Sequence, residues 1–171
     1  MVRLVSIAAL AALLLGANPA IGQDQEELAI TTDKVVAVTR FLEANPLDPV
    51  APALRSLMID WEDKATEVVD YVCPGVLVPI PSDAAPHSPE LLVQFIFGSA
   101  AYQLEHPEDK GALIPSQIAA MRSMLKAYGA FLAADPNARI ARLDELVLIE
   151  AQGRLPEHLT PIVQKECNGG S

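Results

Sequence analysis

Fourteen consecutive residues, Leu91 to Leu104 (LLVQFIFGSAAYQL), carry no charge and lie between Glu90 and Glu105. A soluble chain must bury such a segment, so its other elements have to enclose it. Strand and helix are both open to it, because VQFIF is β-prone and short apolar runs do not separate the two. Ser88 as N-cap, Pro89 at the first helical position and Glu90 at the positive end of the helix dipole favour the helix. The run also outlasts the roughly eight residues of a strand, and Ala100 and Ala101 are strong helix formers. A helix that is apolar nearly all round belongs at the centre of a bundle. Its Gly98-Ser99-Ala100-Ala101 patch has little side chain, which lets another helix approach closely. A membrane span would need about 20 apolar residues, and Gln94 and Ser99 interrupt this shorter run.

The chain starts with the pattern of an export leader. Arg3 supplies a positive n-region, Leu4 to Leu15 an apolar h-region, and Ala20-Ile21-Gly22 the small residues for cleavage before Gln23. No cysteine follows the h-region, so a lipid anchor is not expected. A short, early h-region of this kind predicts a periplasmic or secreted bacterial product with no membrane span after cleavage. Removing residues 1–22 from 171 leaves 149, enough for one domain with a sizeable core. Arg3 goes with the leader, leaving 11 basic and 22 acidic side chains and a formal charge of −11. Such a surface repels nucleic acid and anionic lipid, and no basic stripe compensates. In an oxidising compartment the only two cysteines, Cys73 and Cys167, are expected to form a disulfide. A redox-catalytic role would call for adjacent thiols, and there is no CxxC.

The remaining pattern is helical. Thr32 or Asp33 can cap a helix to about Ala44, ended by Asn45-Pro46. After LDPVAP, a second helix is expected to run to about Val72. Its apolar stripe would be Leu54, Leu57, Met58, Trp61, Ala65, Val68, Val69 and Val72, with Asp60, Asp63, Glu67 and Asp70 on the opposite side. Cys73 to Pro86 (CPGVLVPIPSDAAP) reads as a proline-rich strap, too apolar for a solvated loop and barred by its prolines from forming a helix. The central helix stops at His106-Pro107. Further helices are expected from about Pro115 to Ala134, from an Asn137 cap to about Gln152 with Ile140, Leu143, Leu146, Val147 and Ile149 inward, and from Leu155 to Glu166. Residues 23–29 read as a loose start and 168–171 as a frayed end.

Arg40-Phe41-Leu42-Glu43-Ala44-Asn45-Pro46 is echoed 90 residues later by Ala130-Phe131-Leu132-Ala133-Ala134-Asp135-Pro136. Ala127 and Phe131, followed by Ala134 and Pro136, resemble the close of a tetratricopeptide hairpin, and Gly98 and Tyr102 fit the same pattern over residues 98–136. That resemblance implies a short tetratricopeptide-like superhelix as the alternative architecture. A plain helix stop before Asx-Pro accounts for the echo as well. The whole chain is similar to small exported helical proteins of bacteria that carry no assigned activity. This second resemblance implies location and fold alone.

Catalytic constellations are sparse. The densest ligand-type cluster, Glu105-His106-Pro107-Glu108-Asp109, has no His-x₃-His or HExxH spacing, and sits where a helix end also accounts for it. His87, His106 and His158 are scattered, and no GxSxG is present. Asp60-Trp61-Glu62-Asp63 reads as a buried tryptophan beside a solvated acidic face. No glycine-rich loop precedes a helix, and few aromatics are available for stacking. No cofactor and no metal are therefore expected.

The expected fold is all-α, a single-domain bundle of five or six helices around the buried central helix. The expected function is an exported, non-catalytic binding or protein-interaction module whose partner is a protein or a small ligand. Its interaction face would be Asp60, Asp63, Glu67 and Asp70. Two alternatives stand: a small-molecule carrier with its pocket between strap and central helix, and a hydrolase-type enzyme using His106 or His87 with a carboxylate.

Overall fold

A computed structural model describes residues 30–167. The leader at 1–22, the loose start and the frayed end lie outside the described residues. The described chain forms seven α-helices and no strand: α1 (Thr32–Ala44), α2 (Ala51–Glu62), α3 (Pro74–Leu77), α4 (Ser88–Glu105), α5 (Leu113–Ala134), α6 (Ala141–Ala151) and α7 (Leu155–Cys167). They pack as one all-helical bundle. A single 3₁₀ turn, Pro107–Asp109, links α4 to α5.

The uncharged run lies within α4 and is buried along most of its length. Its start differs from the sequence reading. His87 holds the N-cap position with φ 55°, and Ser88 is the first helical residue. The Ser88 hydroxyl instead accepts the Ser82 amide at 2.8 Å, which closes the strap onto the helix.

Helix α4 divides the core in two. Leu91 and Phe95 join the larger cluster, built from α3, α5, α6 and α7 with Met121, Met124, Tyr128, Leu143, Leu159 and others. Phe97 joins the smaller one with Val35, Leu42, Ala51 and Met58 of α1 and α2. Its main neighbour is α5. The pairs Gln94–Ser123, Gly98–Ala120 and Gln103–Gly111 run in opposite chain directions, so α4 and α5 form an antiparallel hairpin. A Cβ on Gly98 would overlap the Ser123 side chain and crowd the Ala120 backbone, so the small-residue patch is where the two helices close together. Gln94 ties three helices: its Nε2 donates to Ser123 Oγ at 2.8 Å and to the Thr39 carbonyl at 3.3 Å. The one deeply buried acid of α1, Glu43, receives Arg40 at 2.6 Å and Lys126 at 2.9 Å.

The second helix stops ten residues early, at Glu62 rather than Val72. Its expected continuation becomes an extended segment, Val68 to Cys73, held by two buried glutamines. Gln103 of α4 accepts the Val69 amide at 3.0 Å and donates to the Val69 carbonyl at 3.1 Å. Gln117 of α5 accepts the Cys73 amide at 3.1 Å and donates to the Tyr71 carbonyl. These amides replace the hydrogen bonds that a longer helix would have made. Consequently Val69 and Val72, expected in the core stripe, are partly exposed, whereas Val68 remains buried.

Cys73 and Cys167 lie at disulfide-bonding distance, with Cα atoms 5.9 Å apart. The Tyr71 hydroxyl donates to the Cys167 carbonyl at 3.1 Å beside them. The strap crosses the helices as expected, with Val76, Leu77 and Ile80 in the larger core. It also contains the short α3, because proline is tolerated at a first helical position and Pro74 starts that turn. Helix α6 begins at Ala141, not after Asn137. Asn137 instead bonds the Asp135 side chain, and the Ile140 amide donates to the buried Tyr128 hydroxyl at 2.8 Å. The Phe-Leu echo is a shared stop: the Asn45 and Asp135 amides each donate to the carbonyl four residues back at 2.8 Å.

Candidate functional site

The expected acidic face is not one face of a helix. Asp60 is exposed on α2, Asp63 caps its end, and Glu67 and Asp70 belong to the segment that follows. All four are exposed. Glu67 is tied down by the Thr66 amide at 2.9 Å and the Thr32 hydroxyl at 3.3 Å, and these hydrogen bonds, the backbone ones first, hold its carboxyl below the usual range.

The acid that matters electrostatically is one the sequence reading passed over. Both Glu62 carboxylate oxygens are buried with no donor among the described residues. Burial, then a hydrogen bond with Asp70 and the charges of Asp70 and Asp63, push its pKa up to about 9. Two carboxyls can bond only when one carries a proton, so Glu62 is the protonated partner at neutral pH. A signal was present: Glu62 follows Leu54 and Met58 at four-residue steps, which puts it on the apolar side of α2.

The three histidines occupy separate places. His87 stacks on Phe131 with ring centroids 4.0 Å apart. His106 is exposed at the end of α4, 3.6 Å from Glu108 and against the Tyr102 ring. Tyr102 donates to Asp109, and this bond first, with desolvation and acidic charge, pushes its hydroxyl up to about 12. His158 stands in the largest of the described clefts, about 570 Å³ between α6 and α7, with Glu145, Leu148, Ile149, Gln152, Arg154 and Glu157.

Beside that cleft Arg142 bridges two of its lining residues. It donates to Glu145 at 2.7 Å and to His158 Nε2 at 2.8 Å. A guanidinium only donates, so Nε2 is the acceptor and the imidazole proton sits on Nδ1. The histidine is therefore oriented by an arginine rather than by a carboxylate. Leu148 is 64% exposed at the cleft wall, and Val147 beside it is 39% exposed. Val147 also floors a second groove of about 290 Å³ between α5 and α6, with Leu125 and Ala151. An ion pair of Arg122 and Glu150 at 2.7 Å edges that groove. Helix α6 thus presents an apolar ridge between two grooves. Leu146-Val147-Leu148-Ile149 carried the signal, since four consecutive apolar residues cannot all face inward from one helix.

Among the described residues no three His, Cys, Asp or Glu side chains are grouped to hold a metal ion, and no helix is long and apolar enough to cross a membrane. Comparison with family models, with curated proteins and with solved structures finds no match to this chain.

Proposed function

We propose that this is an exported, non-catalytic binding module that docks a segment of a partner polypeptide along α6, in the cleft shared with α7. The observation that carries the reading is the exposed Leu148–Val147 ridge, set between two grooves with charged rims. Apolar anchors ringed by polar groups are the usual anatomy of a docking site. The occupant is a peptide that presents an apolar side chain to Leu148 and Ile149. Its polar backbone or basic groups would face Glu157 and Glu145. The negative charge of the chain as a whole favours such a partner. The leader-like start and the pairing geometry of Cys73 and Cys167 support a periplasmic or secreted location. The arginine-bonded His158 supports the non-catalytic reading, because no orienting carboxylate prepares it as a base.

The test is a photo-crosslinking residue at position 148, with exposed Leu47 as control. The peptide recovered from the adduct, once synthesised, is expected to bind the purified protein and to shift amides of residues 142–158. Leu148→Asp should weaken that binding about tenfold or more. A peptide that binds Leu148→Asp as tightly, or an equal adduct from position 47, refutes the docking site.

A further inference from the structure

A smaller cavity, about 210 Å³, lies beneath the glutamine-held segment, on the side of the bundle that the docking reading does not use. It is lined by Val69 and Tyr71 above, Ser99 and Gln117 at the sides, and Gly111, Ala112, Leu113 and Ser116 at the start of α5. None of these side chains is charged. The walls are fixed in place: Gln103 accepts both the Val69 and the Gly111 amides, and Gln117 bonds either side of Val72. The site is therefore built before any ligand arrives.

Two independent features of this cavity lack partners. First, α5 is a 22-residue helix whose N-cap is Ala112, with no side-chain cap. The amide of Leu113, which lines the cavity, and that of Ile114 beside it have no acceptor among the described residues. A long helix start with open amides attracts negative charge. Second, Ser116 in that first turn is 4% exposed, and its hydroxyl has no hydrogen-bond partner. A buried hydroxyl without a partner is costly, and a ligand oxygen would relieve it.

We propose that this cavity binds a small aliphatic carboxylate. Its oxygens would take the open amides of α5 and the Ser116 hydroxyl, and its short apolar body would lie against Val69, Tyr71 and Leu113. The volume is several times that of one water, roughly 30 Å³, and below the roughly 300 Å³ at which pockets for drug-sized molecules begin. The ligand is accordingly short. The mixed lining separates it from a bare oxyanion, for which the apolar half would be useless.

The experiment is an NMR titration of the purified protein with sodium butyrate, with butanamide and inorganic phosphate as parallel arms. Butyrate is expected to move the Leu113, Ile114 and Ser116 amides saturably. Ser116→Ala should weaken butyrate binding about tenfold, the scale of one hydrogen bond to a charged group. Ala112→Asp supplies a tethered carboxylate to the same amides, so it should raise Tm and abolish butyrate binding in a protein that is demonstrably folded. Absence of a butyrate response overturns the proposal. So does equal binding of butanamide or phosphate, or butyrate binding unchanged in Ser116→Ala and Ala112→Asp.

Discussion

Replacing Glu62 by glutamine should stabilise this protein at neutral pH and remove most of the pH dependence of its stability. Glu62 titrates near 4.5 when unfolded and is raised to about 9 in the fold, chiefly by burial and then by Asp70. A raised acid pKa means that the folded state holds a proton the unfolded state has released. Stability from this group is therefore complete below about pH 4.5 and declines as pH rises towards 9. Each pH unit in that window costs at most about 1.4 kcal/mol. From 4.5 to 7 the limit is about 3 kcal/mol, and partial solvent contact with coupling to Asp70 brings the expected loss to about half that. Glu62→Gln keeps the shape, and its amide can donate to Asp70 at any pH. Urea unfolding at pH 5, 7 and 8.5 should show the wild-type midpoint falling with pH and the variant midpoint nearly level. The variant should be about 1–2 kcal/mol more stable at pH 7. A wild-type midpoint flat across this range, or an equal slope in Glu62→Gln, would refute the assignment of the buried proton.

Four further variants test the packing. Gly98→Ala should cost about 1–3 kcal/mol, since its Cβ meets Ser123 and the Ala120 backbone. Gly129→Ala in the open part of α5 should gain up to about 1 kcal/mol, and urea midpoints of the two variants should move in opposite directions. Replacing Cys73 and Cys167 together by serine opens a separation of 94 residues; loss of about 4–5 kcal/mol is expected, less any strain, measured as the fall in Tm of the non-reduced protein. Gln103→Leu leaves the Val69 and Gly111 amides without their acceptor, at about 1–3 kcal/mol for each group that stays dry. Amide exchange at Val69 should accelerate ahead of exchange in α5.

The central helix was legible because its signal is redundant. Length, lack of charge, alanines and a proline-led start all agree over residues 88–105, and burial follows from composition alone. The extents of α5 and α7 were legible from where their helical patterns start and stop. The start of α6 was not. Asn137 has the chemistry of a cap, but the Tyr128 hydroxyl, nine residues before it, takes the Ile140 amide and sets where the helix begins. The scattered histidines were equally opaque, because what orients them is an aromatic ring for His87 and an arginine for His158. Neither partner lies next to its histidine in the sequence.

The largest departure, the end of α2, links most of what is distinctive here. Between Trp61 and Val72 there is no glycine or proline to stop a helix, and the apolar spacing continues unbroken. The groups that hold the chain beyond it out of a helix are Gln103 and Gln117, 34 and 44 residues away from the amides they accept. Ending the helix there has three consequences. Asp70 folds back onto Glu62, which creates the protonated pair. The freed segment becomes a roof over the start of α5, which leaves the small cavity. It also carries Cys73 to the end of α7. A glutamine on an otherwise apolar helix is the readable trace of such an arrangement, because a buried amide needs backbone partners that its own helix cannot supply. Gln103 and Gln117 meet that need on the segment Val68 to Cys73, and Gln94 meets it on α1. The two amides that bond Val68 to Cys73 mark the place where the chain leaves the helical pattern, which the hydrophobic period does not.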